Sequence, residues 1–388
     1  SGIYDSCDNC IVGESINTYT GYNNCNVGCI SVDFEVRCID VGSGDFDCYQ
    51  YPEWESKVTL FFDGDGDNIP CPSFDELGDV PGPLIPLENV CVSHVYENYI
   101  VANGSWESSI GNATREAFAS EFIGLPQQEP IFSLKQIPPS TFSDFTRESR
   151  NILVIQKTKK DTVILSRDRY AKPQVLIELL GSTKRKIIKN IKENKKTIIN
   201  EIKKNDLKEK QRRMQISPLK TGDLRSLLSI ELIIPSAYEV FKKNKNKIIW
   251  LQKETKKGSA NVLAYELSTK DSLNSFSRNK IIKIRDSIGQ AFVPGRNKNS
   301  YMITEEAYKP YLNRVLVNGL KAIETRGTWE VKNDFMAGPF LNYIIQDTLN
   351  QRNIVLEGFV FSPSSKKREQ VFELEAIFKS LKIYKVKE

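Results

Sequence analysis

The sequence predicts an α+β protein: a small disulfide-rich β/loop head, then antiparallel sheets covered by helices in two α/β halves. Three observations carry this expectation. All eight cysteines of the 388-residue chain lie between Cys7 and Cys91, and the one histidine is His94. Charge divides at the same place: residues 1–94 hold two basic and 17 acidic side chains, net −15, whereas the remainder carries a net +20. Beyond the head, apolar residues recur at the alternating spacing of strands and at the 3–4 spacing of helices. The expected domains are an acidic cysteine-rich domain (1–77), a Pro/Gly-rich linker (78–94), a first α+β half with a long basic helix (95–220) and a second α+β half (221–388).

In the head, Cys7, Cys10, Cys25, Cys29, Cys38, Cys48, Cys71 and Cys91 reach the density at which small secreted domains use disulfides in place of a large core. Four disulfides in an oxidising compartment are expected, with connectivity open. Cys7-x2-Cys10 followed by Cys25-x3-Cys29 also fits a zinc site of four thiolates. The run Leu60-Phe61-Phe62-Asp63-Gly64-Asp65-Gly66-Asp67-Asn68-Ile69-Pro70-Cys71 alternates carboxylates with glycines, which lets several oxygens converge on one hard cation. It resembles the aspartate-rich calcium repeats of thrombospondin type 3. Asp63, Asp65 and Asp67 match the ligand positions; Cys71 replaces a further Asp, and Asp75 or Glu76 supplies the missing oxygen. The expected cofactor is a structural calcium, the alternative being an acidic turn with solvated aspartates. The stretch Gly78-Asp79-Val80-Pro81-Gly82-Pro83 can propagate neither helix nor inner strand, and so reads as a linker.

From Glu97 onward, strands are expected over 98–103, 131–137, 151–157, 162–166 and 174–180, with helices over 109–122 and 141–146. A long helix over 183–214 holds 13 basic and four acidic residues, with Ile187, Ile188, Ile191, Ile198, Ile199 and Ile202 on one stripe. It reads as a helix lying on a sheet with a solvated lysine-rich back, or as a basic arm for an acidic partner. Nucleic acid is not expected, since aromatics do not interleave with the lysines. In the second half, strands are expected over 229–234, 247–253, 261–267, 301–304, 311–317, 320–328, 340–346 and 354–361, with helices over 271–288 and 365–382. Asn318-Gly319 is a two-residue hairpin signal.

Function classes narrow by what is missing. Val95–Glu388 contains neither Cys nor His, which removes Cys–His and Ser–His–Asp catalysis, His-bound zinc and His acid/base chemistry from that stretch. No run approaches the ~18–20 apolar residues of a membrane span. The start at Ser1, without Met or an apolar leader, reads as a processed product.

Several motifs resemble the DUF4837 family of Bacteroidota envelope proteins. They are Gly124-Leu125-Pro126-Gln127-Gln128-Glu129-Pro130-Ile131-Phe132, Gln136-Ile137-Pro138-Pro139, Arg150-Asn151-Ile152-Leu153-Val154, Trp250-Leu251, Glu357-Gly358-Phe359-Val360-Phe361, and above all the block from Arg326 to Phe340. The resemblance runs from about 97 to 381. It implies a Gram-negative envelope location without an established activity. Members often carry an N-terminal lipoprotein cysteine; the start at Ser1 departs from that and speaks against a lipid anchor. The second half also resembles, more loosely, PsbP-like domains, mostly binding or assembly modules.

Within Arg326–Phe340, Trp329, Phe335 and Met336 offer an apolar docking patch with Trp329 as anchor. The alternative is a hairpin loop whose aromatics close the end of the sheet. The expected function is that of an exported, non-enzymatic binding or structural protein, extracellular, at the cell surface or periplasmic. Its expected partners are envelope or surface proteins or copies of itself. A glycan hydrolase using paired carboxylates and a soluble ligand carrier are the alternatives.

Overall fold

The computed structural model describes residues 97–102, 106–244, 247–255, 257–267 and 271–386, and within residues 1–60 the backbone of short strands. The side chains of the eight cysteines and of Asp63, Asp65, Asp67, Asp75 and Glu76 lie outside the described residues.

Strands β1 (Glu97–Ala102), β2 (Ser133–Ile137), β3 (Asn151–Lys157), β4 (Thr162–Arg167) and β5 (Val175–Gly181) form a five-stranded sheet in the order β4-β5-β3-β1-β2. Helices α1 (Ser109–Phe118), α2 (Asp144–Arg147) and α3 (Lys184–Met214) belong to the same stretch. The chain then runs through α4 (Gly222–Leu228), β6 (Ile230–Glu231), β7 (Glu239–Asn244), β8 (Ile248–Thr255), β9 (Gly258–Leu267) and α5 (Arg278–Phe292). It ends in β10 (Met302–Thr304), β11 (Tyr311–Val317), β12 (Leu320–Val331), β13 (Ala337–Asp347), β14 (Arg352–Phe361), α6 (Arg368–Phe378) and β15 (Lys382–Ile383). The second sheet has eight strands in the order β7-β8-β9-β14-β13-β12-β10, with β11 sharing the outer edge of β12. Its pairings are antiparallel throughout. The protein is thus α+β, with antiparallel sheets and covering helices.

By compactness the chain divides into two units: Ser1–Val101 with Ile137–Leu153 and Arg167–Leu176, and Ala102–Gln136 with Val154–Ser166 and Ile177–Glu388. In the first, the Gln174 side chain ties a loop together, donating to the carbonyls of Arg147 (2.5 Å) and Ser149 (2.8 Å), while the Arg147 guanidinium lies over the rings of Phe142 and Tyr170. The second holds the eight-stranded sheet, and two-residue alternation sorts its side chains. Ile249, Leu251, Val262, Leu341, Tyr343, Ile345, Ile354 and Leu356 share one core with Val371, Leu374, Ile377 and Phe378 of α6 and with Met214 at the end of α3. Trp250, Leu263, Tyr265, Phe340, Ile344, Val355 and Phe359 face the other way, toward α5 and its flanks. Each such fully buried side chain contributes about 1.5–3 kcal/mol.

The α3 stripe buries Ile187, Ile191, Ile198 and Ile202, with Ile188 and Ile199 half-buried at its margins. Thr183 caps the helix, its hydroxyl accepting from Lys186 N. The segment between α1 and β2 is bound equally firmly. Gly124 adopts a left-handed φ of 92°, and a Cβ there would lie 2.8 Å from the Cβ of Arg326 on β12; only glycine allows that approach. Five residues on, the Glu129 carboxylate accepts from the backbone N–H groups of Lys367 (2.6 Å) and Arg368 (3.2 Å), satisfying donors at the start of α6 that the helix itself leaves open.

Two expected elements are corrected and one is added. The strand at 229–234 shrinks to Ile230–Glu231, because Ser229 turns left-handed (φ 53°) to end α4 and Ile233 N donates to the Ser380 hydroxyl rather than to a strand. The helix expected over 271–288 begins only at Arg278, where Ser277 caps it; Leu273–Ser275 is a separate 3-10 turn. Strand β7 was not expected, and its residues are largely exposed at the sheet edge, where no apolar alternation is required. The Asn318-Gly319 turn matches expectation, with φ of 47° and 85° at the two positions.

Candidate functional site

The β12–β13 hairpin ends in the loop 332–336, which the sequence singled out. Asn333 sits at φ 63°, Val331 N donates to Met336 O (2.8 Å), and Asp334 N donates to Val331 O (3.1 Å). An ion pair from outside the hairpin fixes its orientation: Arg296, between α5 and β10, donates Nε and Nη2 to the two Asp334 oxygens at 3.1 and 2.8 Å. Asp334 Oδ1 also accepts from Phe335 N (2.8 Å), and these hydrogen bonds from Arg296 and Phe335 hold its carboxyl below the ordinary range. On the other side Lys332 N donates to Tyr301 O (2.9 Å), and the Lys332 ammonium lies 5.5 Å from the centre of the Tyr301 ring. The product is a pinned loop that presents the Phe335 ring wholly to solvent.

The three predicted docking residues therefore separate. Phe335 is exposed at the tip, and Met336 is half-buried against the core beneath. Trp329 is corrected from surface anchor to core residue: it is 3% exposed, its indole Nε1 donates to Val360 O (3.2 Å), and its ring packs on Phe359 and Phe361. A Cβ at Gly338, opposite Trp329 in the register, would lie 2.0 Å from Val360 O, so the strands close tightly just below the loop. Position 329 lies on the face toward α5, as alternation from Ile323 requires.

The unit also contains ion clusters that the sequence reading missed. On the α6 face, Arg326 donates Nη2 to Glu324 (2.9 Å) and to Glu375 on α6 (2.6 Å); the Tyr343 hydroxyl donates to Glu324 (2.6 Å), and Lys379 pairs with Glu375 (2.6 Å). Burial raises the carboxyl pKa values, but the Arg326 charge outweighs it and both acids are held below the ordinary range. Burial lowers the pKa of the nearby Lys203 ammonium. On the α5 face, Arg285 pairs through two nitrogens with Glu357 at 2.7 and 3.1 Å and lies 3.4 Å above the Phe340 ring. A glycan-cleaving pair needs one carboxylic acid kept protonated beside a carboxylate facing substrate. Glu324 and Glu375 are instead both ionised, buried and bridged by the same guanidinium, an arrangement suited to holding α6 on the sheet.

A third cluster makes a pH prediction. Burial pushes the Glu373 carboxyl up, but Lys210 (3.3 Å), Lys253 (2.6 Å) and the donating Tyr238 hydroxyl (3.0 Å) hold it down at about 2. A lowered folded-state pKa contributes stability that is complete above the ordinary value of 4.5 and is lost as pH falls through about 2. The contribution is about 3 kcal/mol. Urea midpoints measured between pH 5 and pH 2.5 are expected to fall more steeply for the native chain than for Glu373→Gln; equal slopes would contradict this.

Comparison with known proteins places these elements. Residues 217–380 match DUF4837, a domain of unknown function. Residues 92–215 match a second domain of unknown function, DUF8532. The DUF4837 match therefore covers the second half of the span over which the sequence resembled that family, and contains the eight-stranded sheet, the hairpin, α5 and α6. No curated protein matches the chain. One solved structure, described as LpqN involved in cell envelope biogenesis of Mycobacterium tuberculosis, aligns at 10% identity with a TM-score of 0.25, over 39% of this chain and 81% of that one. No helix among the described residues is long and apolar enough to cross a membrane.

Proposed function

We propose that the chain is an exported, non-enzymatic binding or structural protein, a subunit or accessory of a bacterial cell-envelope or surface assembly, which docks through the β12–β13 hairpin of its DUF4837 region. The observation that carries this reading is the geometry of the loop: a fully exposed phenylalanine held on a turn that Arg296 and Asp334 fix in place. An apolar side chain presented without support would lose binding energy to ordering on association; a pinned one loses less. Its partner is another envelope or surface protein, or a second copy. The test is co-isolation from envelope extract with the native chain and with Phe335→Asp and Arg296→Ala. Phe335→Asp is expected to leave the melting temperature unchanged and to lower partner recovery by about tenfold or more, the scale of a binding hot spot. Equal recovery, or a native chain that recovers nothing, would overturn the proposal.

The head enters through its sequence alone. We propose four disulfides among its eight cysteines and one calcium held by Asp63, Asp65 and Asp67 with Asp75 or Glu76. Binding to the folded state stabilises it by mass action. Limited proteolysis of the intact chain is expected to cut within 1–94 once EDTA or a reductant is added, while the region from 97 onward stays resistant. An unaltered cleavage pattern with EDTA would count against calcium, and with reductant against the disulfides.

A further inference from the structure

Strand β4 ends the order of its sheet, and no strand pairs its outer edge among the described residues. From Thr162 to Arg167 it reads Thr-Val-Ile-Leu-Ser-Arg, with its one charge at the last position and neither proline nor glycine, and the successive side chains Ile164 and Leu165 are 42% and 36% exposed. Successive residues point to opposite faces of a sheet, so both faces of this edge present apolar surface. Free edges recruit further strands unless blunted by lysines, prolines or bulges. The edge strand β7 shows such blunting, with Lys242, Lys243 and a register shift between Val240 and Lys242. Residues 162–166 of β4 carry neither lysine nor proline.

A second, independent observation concerns the corner from which β4 starts. Thr158 N donates to Gly181 O (3.0 Å), and Asp161 accepts from both Ser182 N (2.6 Å) and the Ser182 hydroxyl (2.8 Å), which fixes the start of β4 against the start of α3. Cations converge there. Lys159 and Lys160 in the turn and Lys184, Arg185 and Lys189 on the first turns of α3 are all exposed. Two acids lie among them and both are engaged, Asp161 by Ser182 and by Lys186 at 3.4 Å and Glu193 by Lys189 at 3.7 Å, which leaves Lys159, Lys160, Lys184 and Arg185 as the excess of positive charge.

We propose that β4 accepts an extended acidic polypeptide segment, which adds to the sheet as a further strand through backbone hydrogen bonds while its carboxylates meet this cationic corner. Strand addition draws affinity from the main chain and selectivity from alternate side chains, and the corner supplies the selectivity for acid. An anionic membrane could satisfy the cations but not the strand's amides, so the peptide is the occupant that uses both observations. This surface is distinct from the hairpin loop and stands or falls separately from it.

The test uses the intact protein and a fluorescent peptide of about ten residues alternating glutamate with valine and threonine. A control with the same number of glutamates carries adjacent pairs of prolines in place of valine and threonine, which removes N–H donors from both edges so that it cannot pair as a strand. The alternating peptide is expected to bind, to protect the amides of residues 162–166 from hydrogen exchange, and to bind about tenfold more weakly to a Lys160→Glu/Arg185→Glu variant. The proline control is expected to bind at least about tenfold more weakly than the alternating peptide. Equal binding of the two peptides, absence of binding, or capture by anionic phospholipid vesicles without peptide binding would each overturn the proposal.

Discussion

Replacing Arg326 with alanine is expected to lower the stability of the chain by about 3–5 kcal/mol, the cost of leaving buried carboxylates without their counter-charge. Glu324 and Glu375 both accept from the same guanidinium nitrogen, and both are buried. Without Arg326, Lys379 still faces Glu375, but Glu324 loses its cation, and the two carboxylates repel across the gap or take up protons. The loss is a large fraction of the roughly 5–15 kcal/mol available to a folded domain, so urea unfolding at neutral pH should show it directly. Adding Glu324→Gln and Glu375→Gln to the same chain is expected to recover part of the loss, because the stranded charges are then gone. An Arg326→Ala chain as stable as the native one would show that the cluster is not what fastens α6 to the sheet.

Residues 217–388 expressed alone, the whole DUF4837 match and the tail after it, are expected not to fold cooperatively. The sheet is present in that piece, but its α6 face is completed by residues that precede it. Met214 and Phe122 belong to the core beneath α6, and Lys210 pairs with Glu373. Gln211 donates to the Ala376 carbonyl (2.9 Å), and Glu129 caps the start of α6. Removing them opens apolar surface of the kind that drives association. The fragment should bind a hydrophobic dye and aggregate, and co-expression with residues 92–215 should restore a soluble pair. A monomeric fragment melting at the temperature of the intact chain would contradict this.

Much of the fold was legible where local chemistry decides it. The 3–4 stripe of isoleucines announced α3, and Asn318-Gly319 announced its hairpin, since each rests on neighbours in the chain. Strand β7 was not legible: at an exposed edge, Glu239-Val240-Phe241-Lys242 need obey no alternation. Nor was the burial of Trp329 separable from the exposure of Phe335, because both sit in one aromatic block and only the register of β12 against β13 puts one inside and the other at the tip. The Arg326 cluster carried a faint signal, since Glu324 and Arg326 two residues apart must share a face of their strand. Their third member, Glu375, is 49 residues further on, brought there by the path of the chain through β13 and β14.

Helix α3, in the stretch that matches DUF8532, and the eight-stranded sheet, in the stretch that matches DUF4837, are expected to behave as one folding unit braced by internal ion pairs. Hydrogen exchange of the intact chain in rising denaturant tests it most directly. The amides of α3 and those of β9, β13 and β14 are expected to lose protection together, at one denaturant concentration. If α3 opens at a clearly lower concentration while the sheet stays protected, the two matched regions are separate bodies and the claim fails.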